Sequence, residues 1–245
     1  GIFTFGDTAR EAYDRMIDAV SLVEERLREG RKPVFASAPI PEHTLALAEI
    51  APIVRGACAL RDEQWLDGYR RFVVDFRTGP GIRAYVDGED LGRYSQVGSV
   101  TPDHTIRTKN WPLILPAPEQ GAAEAFSTSA KRAVDAFASM YEKYFERNNA
   151  RQTESKVKLD SAPRVVLVPG IGLFGVGGAA KDAQIAADIA ESTIETITDA
   201  EAIGKFESAG EADLFDMEYW SLEQAKLGRT PQKPLAGHVA LVTGG

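Results

Sequence analysis

Cysteine is almost missing from this sequence. Cys58 stands alone among 245 residues, so neither an intramolecular disulfide nor a CxxC metal or redox site can form. Histidine is nearly as scarce: His43, His104 and His238 lie far apart and make no HxH or HExxH pair, so no complete zinc site is expected within the chain. No apolar run approaches the roughly 18 residues that a bilayer-spanning helix needs. The first residues, Gly1 to Asp7, show neither a basic start nor a signal-peptide core. Positive charge is in deficit too, with 28 Lys and Arg against 36 Asp and Glu for a formal net charge of -8. Without a basic surplus or a dense Lys/Arg cluster, a nucleic-acid partner is not expected. These absences describe a cytoplasmic chain with neither nucleic acid nor membrane as partner.

What remains is ordinary for a folded interior: 44% hydrophobic and 26% charged residues, enough for one large domain or two small ones. Thr8 and Glu11 have capping-box spacing, and Ala12, Met16, Ala19, Val20, Val23 and Leu27 recur at helical spacing up to about Arg28, before Gly30. Lys32 to Ser37 reads as a short strand, and Leu45 to Ile50 and Ile53 to Leu60 as helices divided by Pro52, which has no N–H to donate. Phe72 to Phe76 and Ile82 to Val86 read as strands joined in a hairpin through Thr78-Gly79-Pro80-Gly81. Trp111 to Leu115 is a compact apolar run expected to be a buried strand. From Glu119 to Arg147 one apolar stripe, Phe126, Ala130, Ala133, Val134, Phe137, Tyr141, Tyr144 and Phe145, predicts a long helix. Asn148 to Pro163 reads as a solvated link. Val165 to Val168 is expected as a strand, followed by a glycine-rich turn and a helix over 179–197. Thr198 with Glu201 and Ser208 with Glu211 have capping-box spacing for a short helix and for another ending near Leu227. On that last helix Asp213, Asp216, Glu218 and Glu223 are expected to form a solvated face, with Tyr219 and Trp220 as packing groups.

Two segments are alike. Gly1 to Gly6 and Gly170 to Gly175 share Gly, Ile, Phe and Gly at the same relative positions, and each precedes a helix. With two residues inserted in the second, Val23 faces Ile194, which suggests an internal duplication beside the alternative of two ordinary strand-turn-helix units. The second segment also matches GxGxxG after a strand, the setting in which amides can hold a pyrophosphate. A dinucleotide site needs a second strand with an acidic residue about 20 positions on. Here another helix signal follows, so a tight structural turn is the expectation and a nucleotide loop over Gly170 to Gly175 the alternative. Thr101-Pro102-Asp103-His104 with Arg107 and Lys109 is the densest polar constellation: His104, Arg107 and Lys109 are candidate anion ligands if they face a cleft. A turn before the Trp111 strand is the other reading.

His238 to Gly245 places an apolar strand-like run, Val239 to Val242, before Thr243-Gly244. It resembles the opening of short-chain dehydrogenases, which makes Thr243 and Gly244 candidate cofactor-binding residues. Gly1 to Gly6 and its helix resemble the last segment of class II, zinc-dependent sugar aldolases, where a histidine preceding the glycine ligates zinc. The whole arrangement is similar to the bifunctional rhamnulose-1-phosphate aldolase/alcohol dehydrogenases. That resemblance implies an α/β, class II aldolase-like layered fold followed by the first strand of a truncated Rossmann domain. It divides the chain into the end of an aldolase domain (1–30), a degenerate aldolase-like α/β domain (31–227), a linker (228–236) and a dehydrogenase start (237–245). Pro169-Gly170 stands where the first copy would have His-Gly, and proline cannot ligate zinc. The chain is thus expected to be an internal fragment without catalytic or metal residues of its own and with no cofactor. Its parent would use zinc and NAD or NADP on sugar phosphate and aldehyde substrates. Alternatives are a noncatalytic interaction or oligomerisation module, including a homo-oligomer, and the dinucleotide reading.

Overall fold

The computed structural model describes residues 2–30, 34–63, 65, 67–227 and 236–243. Its centre is a sheet of β3 (Val73–Arg77), β6 (Gly172–Gly177), β5 (Val165–Val168) and β4 (Leu113–Ile114), in the order β3-β6-β5-β4. β3 and β5 each run antiparallel to β6, while β4 and β5 are parallel. A separate antiparallel ribbon joins β1 (Leu60–Arg61) to β2 (Tyr69–Arg70).

Both sheet faces are covered, and the period-two alternation of the strands divides the core between them. Val166, Val168, Phe174 and Val176 face α2 (Leu47–Ala57) and α6 (Ala123–Asn149), joining Ile50, Val54, Phe126, Val134 and Phe137. Val165, Leu167 and Leu173 face the other way, against α3 (Pro80–Val86) and α7 (Ala180–Ile203), joining Tyr85, Ala187, Ala190, Ile194 and Ile197. This is the expected α/β layering: helices, sheet, helices. A third cluster, Tyr141, Tyr144, Phe215 and Tyr219, lies where the end of α6 meets α8 (Glu211–Glu218). The remaining helices are α1 (Ala9–Glu29), α4 (Leu91–Tyr94), α5 (Thr105–Thr108), which follows the 3-10 turn Pro102–His104, and α9 (Ser221–Lys226).

Several expectations are corrected. Ile82 to Val86 is helical: Ile82, Tyr85 and Val86 sit one helical turn apart on a buried face, and Pro80, with its φ fixed for a first turn, starts α3 instead of a hairpin. Pro52 lies inside a continuous α2. It is exposed, so the carbonyl it leaves unbonded can meet water, while Ile50 and Val54 on either side are fully buried and hold both halves down. Thr198 and Glu201 fall within α7, and α8 is preceded by Gly210 with no side-chain cap. Thr8 does accept from the Glu11 amide at 3.1 Å, although the Glu11 carboxylate reaches the Asp7 amide instead of that of Thr8. Of the strand expected over 32–37, residues 32 and 33 lie outside the described residues, and Ser37 forms only an isolated bridge to Gly88.

The two like segments diverge. Residues 2–6 form no strand, and α1 buries no residue, whereas Gly172 to Gly177 is a fully buried strand. Residues 238–243 also form no strand, so the Rossmann strand expected there is not seen; most of the linker, 228–235, lies outside the described residues. No described helix is long and apolar enough to cross a membrane.

Candidate functional site

The glycine-rich segment is not a phosphate loop. Gly170, at φ +87°, makes the turn between β5 and β6, and Gly172 and Gly175 then lie within β6, with α7 starting only at Ala180. A Cβ at Gly175 would overlap the Ala183 carbonyl and Ala187, so this glycine lets α7 close onto the sheet. The Gly170 amide donates to the Asp87 carboxylate at 2.7 Å and that of Ile171 to the Val168 carbonyl at 3.0 Å, while Gly172 to Gly177 pair with the neighbouring strands, an arrangement that does not suit a nucleotide loop. Thr243 is exposed, and Gly244 lies outside the described residues.

His104, Arg107 and Lys109 do not converge on an anion. Arg107 donates to the Lys226 carbonyl at 2.9 Å and sits 3.8 Å from Asp182. His104 buries an Nδ1 with no hydrogen-bond partner. Lys109 turns inward, 4% exposed, and donates from Nζ to the Asp160 carbonyl at 2.7 Å, with the ammonium 3.4 Å from the centre of the Tyr141 ring. The turn before β4 therefore exists, and it drives a lysine into the interior.

Lys109 is also the only described non-glycine residue with positive φ, at +59° with ψ -178°, a region that costs a side chain of order 1–3 kcal/mol. Thr105 and Thr108 hold it there: the Lys109 amide donates to the Thr105 carbonyl at 2.8 Å, and the Thr108 hydroxyl accompanies the chain reversal by bonding the His104 carbonyl at 3.1 Å. Burial drives the Lys109 amine down to about 7, with Arg164 pushing the same way against Glu218 and Asp160. Asp160, part of the supposedly solvated link, is half-buried instead. Burial would raise its pKa, but Arg164 at 2.6 Å, Lys109 and Arg70 outweigh it and hold the carboxyl below its usual range.

Glu218 faces Lys109 electrostatically from α8 and is completely buried. Its carboxylate accepts from the Tyr141 hydroxyl at 2.7 Å and the Tyr144 hydroxyl at 3.0 Å. Tyr219 extends the chain, 2.7 Å from the Tyr141 hydroxyl and accepting from the Leu159 amide at 3.2 Å. Burial pushes Glu218 above the usual carboxylate range, opposed by Lys109 and by the two tyrosine bonds. Of the expected acidic face, Asp213 and Asp216 are exposed, but the helix breaks at Tyr219-Trp220, and Glu218 and Glu223 are buried. Tyr219 packs as expected, while Trp220 is 47% exposed.

Beside this network a small cleft opens between α7 and the 95–112 segment. Ser99, Asn110, Trp111, Leu167 and Ile194 are among its lining residues. The Ser99 hydroxyl and both amide atoms of Asn110 are buried without a hydrogen-bond partner; Asn110 lies near enough to the Tyr144 hydroxyl to favour its phenolate, but makes no well-formed bond to it. Gly98, at φ +134°, carries the loop past α8 where a Cβ would meet Ser208 at 2.7 Å. The Ser208 hydroxyl in turn fixes the Ser99 carbonyl at 2.6 Å.

Sequence reasoning missed Ser99, Asn110, Tyr141, Tyr144, Glu218 and Asp160 as a group. The one available signal was Tyr141 and Tyr144 within the apolar stripe, since a buried phenol usually seeks a partner. Among the described residues, no three His, Cys, Asp or Glu side chains come together as a metal site, so zinc does not fit the residues seen here.

Comparison with known proteins decides the family. Residues 45–227 match the family described as aldolase class II, second domain. The chain belongs to that family. It is also similar to a protein named "Uncharacterized oxidoreductase YuxG" from Bacillus subtilis (strain 168), at 29% identity over 254 aligned positions. The similarity covers 100% of this chain and 35% of that protein, so the chain spans about a third of the relative's length. No solved structure matches.

Proposed function

We propose that this chain serves as the second aldolase-type domain of a longer cytoplasmic protein with two activities. One is zinc-dependent cleavage of a ketose phosphate, of the rhamnulose-1-phosphate type. The other is oxidation or reduction of an alcohol or lactaldehyde by a short-chain dehydrogenase with NAD or NADP. The observation that carries this reading is the pairing of an aldolase second-domain match with a relative named as an oxidoreductase that takes in the whole chain within a third of its length. Zinc would polarise the sugar carbonyl, but the residues described here offer it no ligand set, so both zinc and nicotinamide would be held elsewhere in the longer protein. The part left to this domain is a preorganised scaffold, in which buried Lys109 and Glu218 and half-buried Asp160 tie α5, α6 and α8 together.

Assay of the full-length gene product against the isolated chain tests this. The full-length protein should cleave rhamnulose 1-phosphate with loss of activity on chelation and should reduce lactaldehyde with NADH or NADPH, while the chain alone does neither. Turnover of either substrate by the isolated chain would overturn the assignment.

A second reading, a noncatalytic interaction or oligomerisation module, is favoured by one surface. Helix α1 and the segment before it leave Phe3 93%, Phe5 80%, Tyr13 63% and Leu22 68% exposed, a larger apolar display than isolated surface residues produce. Light scattering that finds a strict monomer at high concentration would remove self-association.

A further inference from the structure

Helix α1 is the one long helix that the body of the protein leaves uncovered. It runs for 21 residues, meets the rest of the molecule chiefly at α7, where Gly30 closes onto Ile203, and buries none of its side chains. It also lies outside the residues, 45–227, that match the aldolase second domain. A helix draws most of its stability from packing an apolar face, so a bare one calls for a partner.

The spacing on α1 says of what kind. Tyr13, Met16, Val20, Val23 and Leu27 follow one another at alternating steps of three and four residues, the a and d positions of a heptad repeat. Tyr13, Val20 and Val23 are exposed, Met16 and Leu27 half-buried, and exposed Ile17 broadens the seam at an e position. Such a seam fits another helix of the same pattern.

Charge sets the direction. When two copies of α1 lie antiparallel, Val20 layers against Met16 and Tyr13 against Val23, each in both senses. The e positions then face one another, Ile17 against Ile17 on the two-fold axis and Arg10 against Glu24 at either end, so the same ion pair forms twice. Parallel copies would instead bring g positions to e positions as Ala12 with Ile17 and Ala19 with Glu24, neither of them an ion pair. Within one chain Arg10 pairs with Asp14 and Glu24 with Arg28. Both are exposed pairs on the helix surface, which contribute little and exchange readily.

We propose that α1 is a self-association surface that pairs antiparallel with α1 of a second copy of this chain, about a two-fold axis at Ile17. This rests on the reading of the chain as an interaction module and involves neither cleavage nor hydride transfer. The interface is isologous and closes at two copies. Its seam spans little more than two heptads, so the dilute chain is monomeric and the dimer forms as concentration rises.

Sedimentation equilibrium of the full chain from micromolar to millimolar concentration should show monomer passing to dimer. Val20→Asp should weaken association at least tenfold, about 1.4 kcal/mol, with the circular dichroism of the fold retained, because Val20 belongs to none of the core clusters. Arg10→Glu should weaken it several-fold, and Arg10→Glu combined with Glu24→Arg should restore it. Direction is read by oxidation, since Cys58 is fully buried and leaves an introduced thiol as the accessible one. Ile17→Cys should give a disulfide-linked dimer. Glu24→Cys alone should not, because antiparallel copies hold the two positions about 21 Å apart at 1.5 Å per residue, but it should cross-link when mixed with Arg10→Cys. A strict monomer at millimolar concentration overturns the proposal and leaves the seam to another part of the longer protein. A dimer that Val20→Asp leaves intact also overturns it, while the interaction reading survives through a different surface. Ready cross-linking of Glu24→Cys with itself means parallel pairing and overturns it as well.

Discussion

Helix α6 runs through two different interiors. Its first half presents Phe126, Ala130, Val134 and Phe137 to the sheet and α2, where every neighbour in the cluster is apolar. Its second half continues the same stripe with Tyr141, Tyr144 and Asn148, equally buried, but there the neighbours are Glu218, Tyr219 and Lys109. One helical face thus crosses from a core held by packing into one held by hydrogen bonds and charge. Periodicity reports only that a face is buried. Whether the burial is dry or polar depends on what another element brings from far along the chain, here 77 positions away between Tyr141 and Glu218.

The sharpest break of this comparison comes from the apolar half. Phe137→Ala should lower unfolding stability by about 3–5 kcal/mol through lost transfer energy and a cavity, read from urea denaturation at constant m-value. Tyr141→Phe in the polar half keeps the ring and removes one hydroxyl, leaving Glu218 one donor short; a loss of about 1–3 kcal/mol is expected. If the phenylalanine variant is instead as stable as the unaltered chain, that half of α6 is held by ring packing alone.

Charge separates the halves further. The folded chain releases the Lys109 proton at about 7, whereas the unfolded chain holds it until about 10.5. Between those values the unfolded state binds more protons, so the contribution of Lys109 to stability rises with pH. Glu218 works the other way at lower pH: its raised pKa lets the folded state keep a proton longer, and that contribution is lost as pH rises through the folded value. Lys109→Met should flatten the stability profile between pH 7 and 10.5, while Phe137→Ala should shift the whole profile without changing its slope. Smallest of all is the effect expected on α1, where Val23 is 44% exposed although its sequence counterpart Ile194 is 4% exposed. In dilute solution Val23→Ala should stay within about 0.5 kcal/mol of the unaltered chain; a larger loss would mean that α1 is packed even in the monomer.

The layered α/β architecture was legible where pattern and burial agree. The stripe of α6 and the Val165 to Val168 strand needed no further information, and the helical starts at Thr8 and near Ala180 lay close to the expected places. Ile82 to Val86 was misread because five residues hold too little of either period to separate strand from helix. The site was nearly illegible. Lys109 was picked out, but for an anion that it does not face, and Glu218 read as solvated because a carboxylate normally is. GxGxxG misled for a related reason: glycine serves both a phosphate cradle and close packing of α7 on β6, and only the six-residue strand between turn and helix distinguishes them.

The account rests on a lysine held in a protein interior at the edge of its own deprotonation. Following the ε-methylene signal of Lys109 by heteronuclear NMR across pH, with Lys109→Met to assign it, measures that state directly. A midpoint near 7 is predicted. A midpoint near the ordinary 10.5 would place the amine in water and contradict the buried polar interior described here.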